Sequence, residues 1–199
     1  MKIILIGASG TLGKAIDEQL SARHQIVRAG RGGADVQVDI TDLASVQRMY
    51  RQVGAFDAVV CAAGNVHFGP LGEMTPEQFA IGLKDKLMGQ VNLVVAGQHQ
   101  ISDGGSFTLI SGILSQEPIR SGSSASMVNA ALDAFVGAAA IELPRGVRIN
   151  SVSPTVFVES MALYGSYFSG FKPVPVADAA LAFVKSVEGA QTGKTYRVG

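Results

Sequence analysis

The chain has 199 residues, of which 47% are hydrophobic, and this is enough to form the core of one domain. Its 16 Lys and Arg balance 16 Asp and Glu, so net charge points to neither nucleic acid nor a membrane surface as a partner. Cys61 is the single cysteine, which excludes an intramolecular disulfide and favours a reducing, cytoplasmic location. We expect no signal peptide and no membrane span, because no apolar run reaches the required length.

The first predicted elements are a strand and a helix joined by a glycine-rich turn. Ile3-Ile4-Leu5-Ile6 is typical of a buried parallel strand, and the predicted helix is Thr11–Ala22. Between them, Gly7, Gly10 and Gly13 are spaced three residues apart. This order is typical of a fold that holds a dinucleotide pyrophosphate, although a turn that only packs the helix on the strand is the alternative. The expected cofactor contacts here are Gly7, Ser9, Gly10, Thr11 and Leu12.

The second strand is predicted over Gln25–Arg28, and Arg31 follows it closely. In a dinucleotide-binding fold, the residue at the end of this strand meets the adenosine ribose, and a carboxylate there accepts the 2′-hydroxyl of NAD. Arg31 stands there instead, and a guanidinium pairs well with a 2′-phosphate. The sequence therefore favours NADP(H) over NAD(H), with a solvated loop arginine as the alternative.

A third strand is predicted over Asp35–Asp39, and a helix capped by Asp42 over residues 42–53. The fourth strand begins at Phe56 and is followed by small residues that permit close approach of a ligand. The residues expected to contact the cofactor in these two turns are Asp39, Ile40, Ala62, Ala63 and Gly64.

The second half of the chain continues the alternation of strands and helices. Thr75-Pro76-Glu77-Gln78 is a helix start, with an N-cap, a first-turn proline and a capping box. This alternation predicts an α/β fold with a doubly wound parallel sheet. The remaining predicted elements are a helix to Gln98, strand Phe107–Ser111, helix Ser124–Glu142, strand Val147–Val152, an irregular segment Phe157–Pro175, helix Val176–Glu188 and strand Thr195–Val198.

With these motifs in order, the chain resembles a short-chain dehydrogenase/reductase over nearly its whole length. The resemblance rests on the glycine turn, the acidic turn Asp39–Asp42, Cys61-Ala62-Ala63-Gly64 in place of the family's Asn-Asn-Ala-Gly, and Arg148–Pro154. It implies one Rossmann-like domain over residues 1–199 and seven parallel strands in the order 3-2-1-4-5-6-7. It also implies an NAD(P) site that includes Pro154, and a substrate loop over residues 157–175.

The catalytic positions of that family are changed in this chain. The family uses a Tyr-x-x-x-Lys pair in the helix after the fifth strand and a serine from the strand itself. Aligning Ala130-Ala131-Leu132 with the family's Ala-Ala-Leu puts Asn129 at the lysine position and Ala125 at the tyrosine position. The serine position falls on Gly112, beside Ser111.

A fourth change lies in the long helix. Lys86-Leu87-Met88-Gly89 matches the family's Asn-Leu-x-Gly, so Lys86 stands at the asparagine position. In one interpretation, Lys86 and Asn129 have exchanged places and, with Ser111, form the catalytic group of an oxidoreductase for a small carbonyl compound or alcohol. In the other, the chain has lost this chemistry and binds NADP(H) as a sensor or regulatory protein. A hydratase, epimerase or isomerase is a weaker third possibility.

The sequence leaves the proton donor for carbonyl reduction open. Ser111 alone is a poor acid at neutral pH. A histidine side chain suits acid–base catalysis, but His67 is also typical of a solvated loop. Tyr164 and Tyr167 lie in the predicted substrate loop, where they serve equally well as pocket walls. We expect no metal, since no group of residues has metal-ligand spacing.

The resemblance also implies self-association. The helix around Lys86 and the helix 124–142 are similar to the helices through which the family dimerises. We therefore expect a homodimer or homotetramer, besides a small-molecule substrate. The small residues that permit close helix approach in the second helix are Ala130, Ala134, Gly137 and Ala138.

Overall fold

Strand β1 (Lys2–Ile6) lies between β2 (Gln25–Gly30) and β4 (Phe56–Cys61), in a computed structural model that describes residues 1–199. Its residues Ile3–Ile6 are all buried, because helices cover both faces of the sheet. The predicted aliphatic core strand is confirmed.

Seven parallel strands form one sheet in the order β3-β2-β1-β4-β5-β6-β7, as predicted. The strand order reverses between β1 and β4, and ligands of doubly wound sheets bind outside the carboxyl ends of the strands at such a point. The strands not yet named are β3 (Val36–Gln37), β5 (Ile101–Ile110), β6 (Arg148–Pro154) and β7 (Lys194–Val198).

The helices divide between the two faces of the sheet, and each face has its own apolar cluster. The helices are α1 (Thr11–Ser21), α2 (Leu43–Val53), α3 (Pro76–Gly82), α4 (Met88–Gly97), α5 (Ser123–Glu142), α6 (Met161–Tyr164) and α7 (Val176–Glu188). Successive strand residues point to opposite faces of the sheet. Ile3 and Leu5 of β1 therefore pack towards α1 and α7, whereas Ile4 and Ile6 pack towards α2, α4 and α5.

Two of the predicted helix starts are confirmed by their capping hydrogen bonds. The Asp42 carboxylate accepts from the backbone N–H of Ala44 at 2.9 Å. The Thr75 hydroxyl accepts from the N–H of Gln78, whose side chain accepts from the N–H of Thr75, which completes the capping box.

Several boundaries differ from the sequence predictions. Strand β3 has two residues rather than five. Strand β5 begins at Ile101 rather than Phe107, and its pairing with β4 shifts register between Phe56 and Ala58. The first part of β5 contains exposed polar and glycine residues, so it lacks the apolar pattern by which a strand is predicted from sequence. The single long helix predicted from residue 76 is interrupted by a π-helical stretch, Leu83–Leu87, between α3 and α4.

Helix α5 corrects the expectation that no apolar run reaches the length of a membrane span. By length and composition alone it is long and apolar enough, with a mean hydropathy of 1.4 over the relevant window, of which 33% is buried. In this fold Val128, Leu132 and Val136 are fully buried and belong to the apolar cluster on the face of the sheet that α2, α4 and α5 cover. The same composition is typical of a core helix.

Candidate functional site

The glycine turn after β1 has a backbone that only small residues permit. Gly7 adopts φ +82°, and a Cβ atom there would lie 3.0 Å from the carbonyl oxygen of Ala62. A Cβ atom on Gly13 would collide with the carbonyl oxygen of Gly7. The two glycines therefore let α1, β1 and the turn after β4 meet closely.

The N-terminus of α1 has free hydrogen-bond donors. Gly10 occupies the N-cap position, and no side chain caps the helix. The first-turn N–H groups of a helix have no partner within it and carry a partial positive charge. This end of α1 therefore fits the diphosphate of a dinucleotide, as the sequence predicted for such a turn.

Two cavities of similar size meet at this turn. The first has a volume of about 370 Å³ and is lined by Gly7, Ser9, Arg31 and Ile40, among others. The second, of about 360 Å³, is lined on this side by Thr11, Leu12, Ala62, Gly64 and Pro154. Ala63 lines both cavities. A ligand with two ring systems joined by a diphosphate would therefore reach one cavity on each side of the turn.

Arg31 follows β2 directly and lines the first cavity, but it is not a solitary loop residue. Its Nη2 atom lies 2.8 Å from a carboxylate oxygen of Asp85, whose other oxygen accepts from the N–H of Asn65. The Arg31 side chain is 68% exposed, so its remaining N–H groups face solvent. Sequence reasoning missed Asp85, because only the fold brings the long helix against the end of β2.

Arg28 lines the same cavity and forms a second charged pair. Its guanidinium donates two hydrogen bonds, of 2.8 and 3.1 Å, to the carboxylate of Asp17 on α1. This contact raises the pKa of Arg28. Asp17, which the sequence analysis did not single out, is therefore neutralised within the cavity by a bidentate partner.

Asp39 lies beside the first cavity rather than in its lining. Its carboxylate accepts from the backbone N–H and the hydroxyl of Thr41, at 3.0 and 2.9 Å, and these hydrogen bonds lower its pKa. Val38 and Ile40, the residues on either side of it, line the cavity. Asp39 itself lines an adjoining cavity together with Arg31 and Val38, and its contact with a cofactor stays a prediction.

The second cavity contains the three predicted catalytic residues, Lys86, Ser111 and Asn129. Lys86 lies in the π-helical stretch, and its Nζ atom donates a hydrogen bond of 2.8 Å to the carbonyl oxygen of Ser111. Burial disfavours the charged ammonium and lowers the pKa of Lys86 to about 8, while the carboxylate of Asp133 acts in the opposite direction. An amine with this pKa exchanges protons near neutral pH.

Asn129 reaches the residue next to Ser111. A Cβ atom on Gly112 would lie 2.9 Å from Asn129 Nδ2, so glycine at this position makes room for the amide. The Asn129 side chain is buried, and its Oδ1 atom has no hydrogen-bond partner. Lys86 and Asn129, which lie on two different helices, therefore contact consecutive residues of the loop after β5.

The stem of Lys86 is packed against the turn after β4. A Cβ atom on Gly64 would lie 2.6 Å from Cγ of Lys86, and Gly64 itself adopts φ +149°. A larger residue at position 64 would displace the lysine. This contact links the predicted cofactor turn to the predicted catalytic lysine.

The remaining candidates for proton transfer are placed differently. Tyr164 lines the second cavity beside Phe68, with 6.3 Å between the ring centroids. His67 and Tyr167 line neither of the two cavities. Cys61 is fully buried, which raises the pKa of its thiol to about 12 and leaves it unreactive at neutral pH. Lys86 and Tyr164 are thus the only titratable side chains in the lining of the second cavity.

No group of three or more His, Cys, Asp or Glu side chains that could hold a metal ion occurs in the structure.

The segment after β6 contributes Phe157, Ser160, Tyr164 and Phe168 to the second cavity. It consists of short helical turns, including α6, rather than of wholly irregular chain. The predicted substrate loop 157–175 therefore borders the cavity that holds Lys86.

Comparison with known sequences identifies similar proteins over most of the chain. The profile of a family described as enoyl-(acyl carrier protein) reductase matches residues 7–196. An uncharacterised NAD-dependent oxidoreductase of Mycobacterium tuberculosis is 27% identical over 190 residues, which cover 86% of this chain and 69% of that protein. The L-xylulose reductase of Homo sapiens is 30% identical over 159 residues, covering 77% of this chain and 65% of that protein.

Solved structures with the same fold are numerous. The protein lin1944 of Listeria innocua is 53% identical, with a TM-score of 0.98, and the match covers 100% of both chains. A small-chain dehydrogenase in complex with NADPH has a TM-score of 0.87 at 24% identity, covering 100% of this chain and 96% of that one. At that identity, the second likeness is one of fold.

Proposed function

The chain belongs to the short-chain dehydrogenase/reductase family, and on this premise we propose that it is an NADP(H)-dependent oxidoreductase. Its substrate is a small carbonyl compound or the corresponding alcohol. The catalytic site is non-standard, with Lys86, Ser111 and Asn129 in place of the family's usual group. The observation that carries this proposal is the position of Lys86 Nζ, 2.8 Å from the Ser111 carbonyl oxygen in the cavity beside the glycine turn.

The residues around the turn fit a nicotinamide dinucleotide. The uncapped first turn of α1 offers N–H groups to the diphosphate. Ser9 and Ile40 line the adenosine side, while Ala62, Gly64 and Pro154 line the other side. When bound, the cofactor supplies or accepts the hydride.

Preference for NADP(H) is supported by charge at the end of β2. Arg28 and Arg31 both line the first cavity, and the nearest carboxylate in its lining, Asp17, is already paired with Arg28. A free carboxylate for the 2′-hydroxyl of NAD is therefore missing from the lining, whereas Arg31 presents unpaired N–H groups to a 2′-phosphate. One structural neighbour binds NADPH, although relatives from Mycobacterium tuberculosis are named NAD-dependent.

Lys86 is suited to move the proton of the reaction. In the reductive direction, the ammonium at Nζ donates a proton to the substrate oxygen, and the amine regains one from water. One N–H of Nζ remains bonded to the Ser111 carbonyl oxygen, which fixes the position of the nitrogen. The amide of Asn129, whose Oδ1 atom lacks a partner, is available to a hydroxyl group in the cavity.

The alternative is an NADP(H)-binding sensor or regulatory protein without turnover. One observation favours it, since Ala125 stands at the family's tyrosine position and is buried, so no phenol projects from α5 into the cavity. Both proposals require the cofactor, and only the oxidoreductase requires Lys86 to exchange a proton.

A kinetic and binding comparison separates the two. NADPH binding is measured by calorimetry, and NADPH oxidation is followed at saturating cofactor with aldehydes and ketones, for the natural protein, Lys86→Met and Lys84→Met. Lys84 is the control because it is an exposed lysine of the same π-helical stretch. We expect Lys86→Met to lose about 10²- to 10⁴-fold in kcat while Lys84→Met keeps its rate. Micromolar NADPH binding with no turnover of any substrate would favour the sensor.

Self-association and location are further parts of the proposal. We propose that the protein is a homo-oligomer that associates through α4 and α5, because both helices expose apolar side chains, including Met88, Val95, Met127 and Ile141. We also propose that it resides in the cytoplasm, where its single buried cysteine stays reduced.

A further inference from the structure

The walls of the second cavity are mainly apolar and aromatic. Apart from the turns that border α1 and β4, its lining includes Val66, Phe68, Ile113, Leu114, Val156 and Phe168. Ile113 and Leu114 are buried and form a small apolar cluster with Ala125, against which Phe68 and Phe168 pack. These side chains come from four separate parts of the chain, so the apolar wall is a product of the fold.

Charged groups are nearly absent from this cavity. Lys86 is the only charged side chain in its lining, which contains no carboxylate and no guanidinium. Lys86 already donates to the Ser111 carbonyl oxygen, and burial lowers its pKa. A carboxylate at the end of a substrate remote from Lys86 would lie against this apolar wall without the guanidinium partner that usually holds such a group.

Three of the polar groups in the lining lie close to the proposed reacting atoms, and Ser160 and Tyr164 add two hydroxyl groups from the segment after β6. Ser111 and Asn129 are next to Lys86 in the fold, and Thr155 follows Pro154 with an unpartnered hydroxyl. They provide hydrogen bonds for one carbonyl or hydroxyl group and for the cofactor. A polyhydroxylated substrate would bury hydroxyl groups that cannot all be paired, because Phe68, Leu114 and Phe168 line the same space.

We propose that the substrate is an uncharged, apolar carbonyl compound or its alcohol, with a body of about one aromatic ring, rather than a sugar or a compound with a carboxylate remote from the carbonyl group. This inference rests on the proposed oxidoreductase function. Reduction adds a hydride from NADPH to the carbonyl carbon and a proton from Lys86 Nζ to the oxygen, so the products are the alcohol and NADP⁺. The cavity of about 360 Å³ also has to hold the nicotinamide, which restricts the substrate to a small molecule.

The first test measures binding without turnover. Calorimetric affinities are determined for benzyl alcohol, 4-(hydroxymethyl)benzoate and xylitol, each with and without saturating NADP⁺. We expect benzyl alcohol to bind at least about tenfold more tightly than either polar probe, since neither the carboxylate nor the extra hydroxyl groups find partners. Equal or tighter binding of the carboxylate or of xylitol would overturn the proposed substrate class, as would failure of benzyl alcohol to bind.

A matched pair of variants locates the binding. Phe168→Ala removes an aromatic wall, whereas Leu163→Ala changes a residue of the same segment that is 76% exposed and outside the lining. We expect Phe168→Ala to weaken benzyl alcohol binding roughly tenfold and Leu163→Ala to leave it unchanged. Circular dichroism and melting curves check that both variants fold. An unchanged affinity in folded Phe168→Ala would refute the assignment of this wall.

Turnover measurements then test the substrate class and the oxidoreductase function separately. NADPH oxidation is compared for benzaldehyde, 4-carboxybenzaldehyde and L-xylulose, the last because one relative is named an L-xylulose reductase. A higher kcat/KM for benzaldehyde supports the substrate class. Preference for either polar compound contradicts it and leaves the oxidoreductase function standing. Tight binding of benzyl alcohol without any turnover supports the apolar site and contradicts the oxidoreductase.

Discussion

The ammonium nitrogen of Lys86 and the carbonyl oxygen of Ser111 lie 2.8 Å apart, which ties the π-helical stretch to the loop after β5. Asn129 of α5 approaches the next residue of that loop, Gly112. Lys86 and Asn129, which belong to two different helical segments, thus contact the consecutive residues Ser111 and Gly112.

The pH dependence of reduction should report the protonation of Lys86. Burial lowers the pKa of Lys86 from 10.5 to about 8, so the ammonium is present below this pH and is lost above it. We expect kcat/KM for carbonyl reduction to be constant below about pH 8 and to fall tenfold per unit above it. For alcohol oxidation the neutral amine is required, and the rate should rise through the same pH. Stopped-flow or steady-state rates between pH 6 and pH 10 measure both limbs, and an identical profile in Lys86→Met would contradict the assignment.

Removal of the Arg31 guanidinium should change the choice of cofactor. We expect Arg31→Ala to raise the Kd of NADPH about 10- to 100-fold through loss of charge-assisted hydrogen bonds to the 2′-phosphate, with little change for NADH. Arg51→Ala, at an exposed position on α2, is the charge-matched control. Calorimetry with both cofactors measures the effect. If both cofactors weaken equally in Arg31→Ala, the arginine does not read the phosphate.

A methyl group at Gly13 should disrupt the turn that both cavities share. The added Cβ atom would meet the carbonyl oxygen of Gly7, and relief requires a shift of α1 against β1. We expect Gly13→Ala to lower the free energy of unfolding by about 1–3 kcal/mol and to weaken NADPH binding. Gly72→Ala is the control, because this glycine lies in an exposed turn and nothing lies within 4 Å of the added atom. Chemical denaturation gives both values, and equal stabilisation of the two variants would be inconsistent with the close contact.

A charge on the exposed face of α4 should reduce the oligomeric state. Val95 is 49% exposed on this helix, and burying a carboxylate in an apolar interface is costly. We expect Val95→Asp to sediment as a smaller species than the natural protein, while Leu71→Asp, at an exposed residue outside α4 and α5, sediments as the natural protein does. A natural protein that sediments as a monomer would itself rule out the proposed association.

The correctly predicted parts of the fold are those that depend on residues close together in the sequence. The aliphatic run of β1 and the capping residues Asp42 and Thr75 act over a few positions, and all three are confirmed. The early start of β5 and the π-helical stretch were missed, because a register shift and a change of helical hydrogen bonding leave no periodic apolar pattern.

In the candidate site, too, some features could be predicted from the sequence and others could not. The residue types at positions 86, 111 and 129 and their departure from the family's pattern could be read from the chain. The sequence could not show that these three residues line one cavity, or that Arg31 pairs with Asp85. These facts depend on contacts between residues that are far apart in sequence, and side-chain direction at such contacts is decided by packing.

The sequence by itself determined that this protein has a doubly wound sheet with a glycine turn at its first strand, because strand burial, capping and glycine conformations are local properties. Only the tertiary structure decided which groups surround Lys86. The desolvation that lowers its pKa, the Ser111 carbonyl oxygen that holds it and the apolar wall beside it all come from segments that meet through folding. The chemistry of a side chain depends on its dielectric surroundings and partners, and these are set by the packed structure.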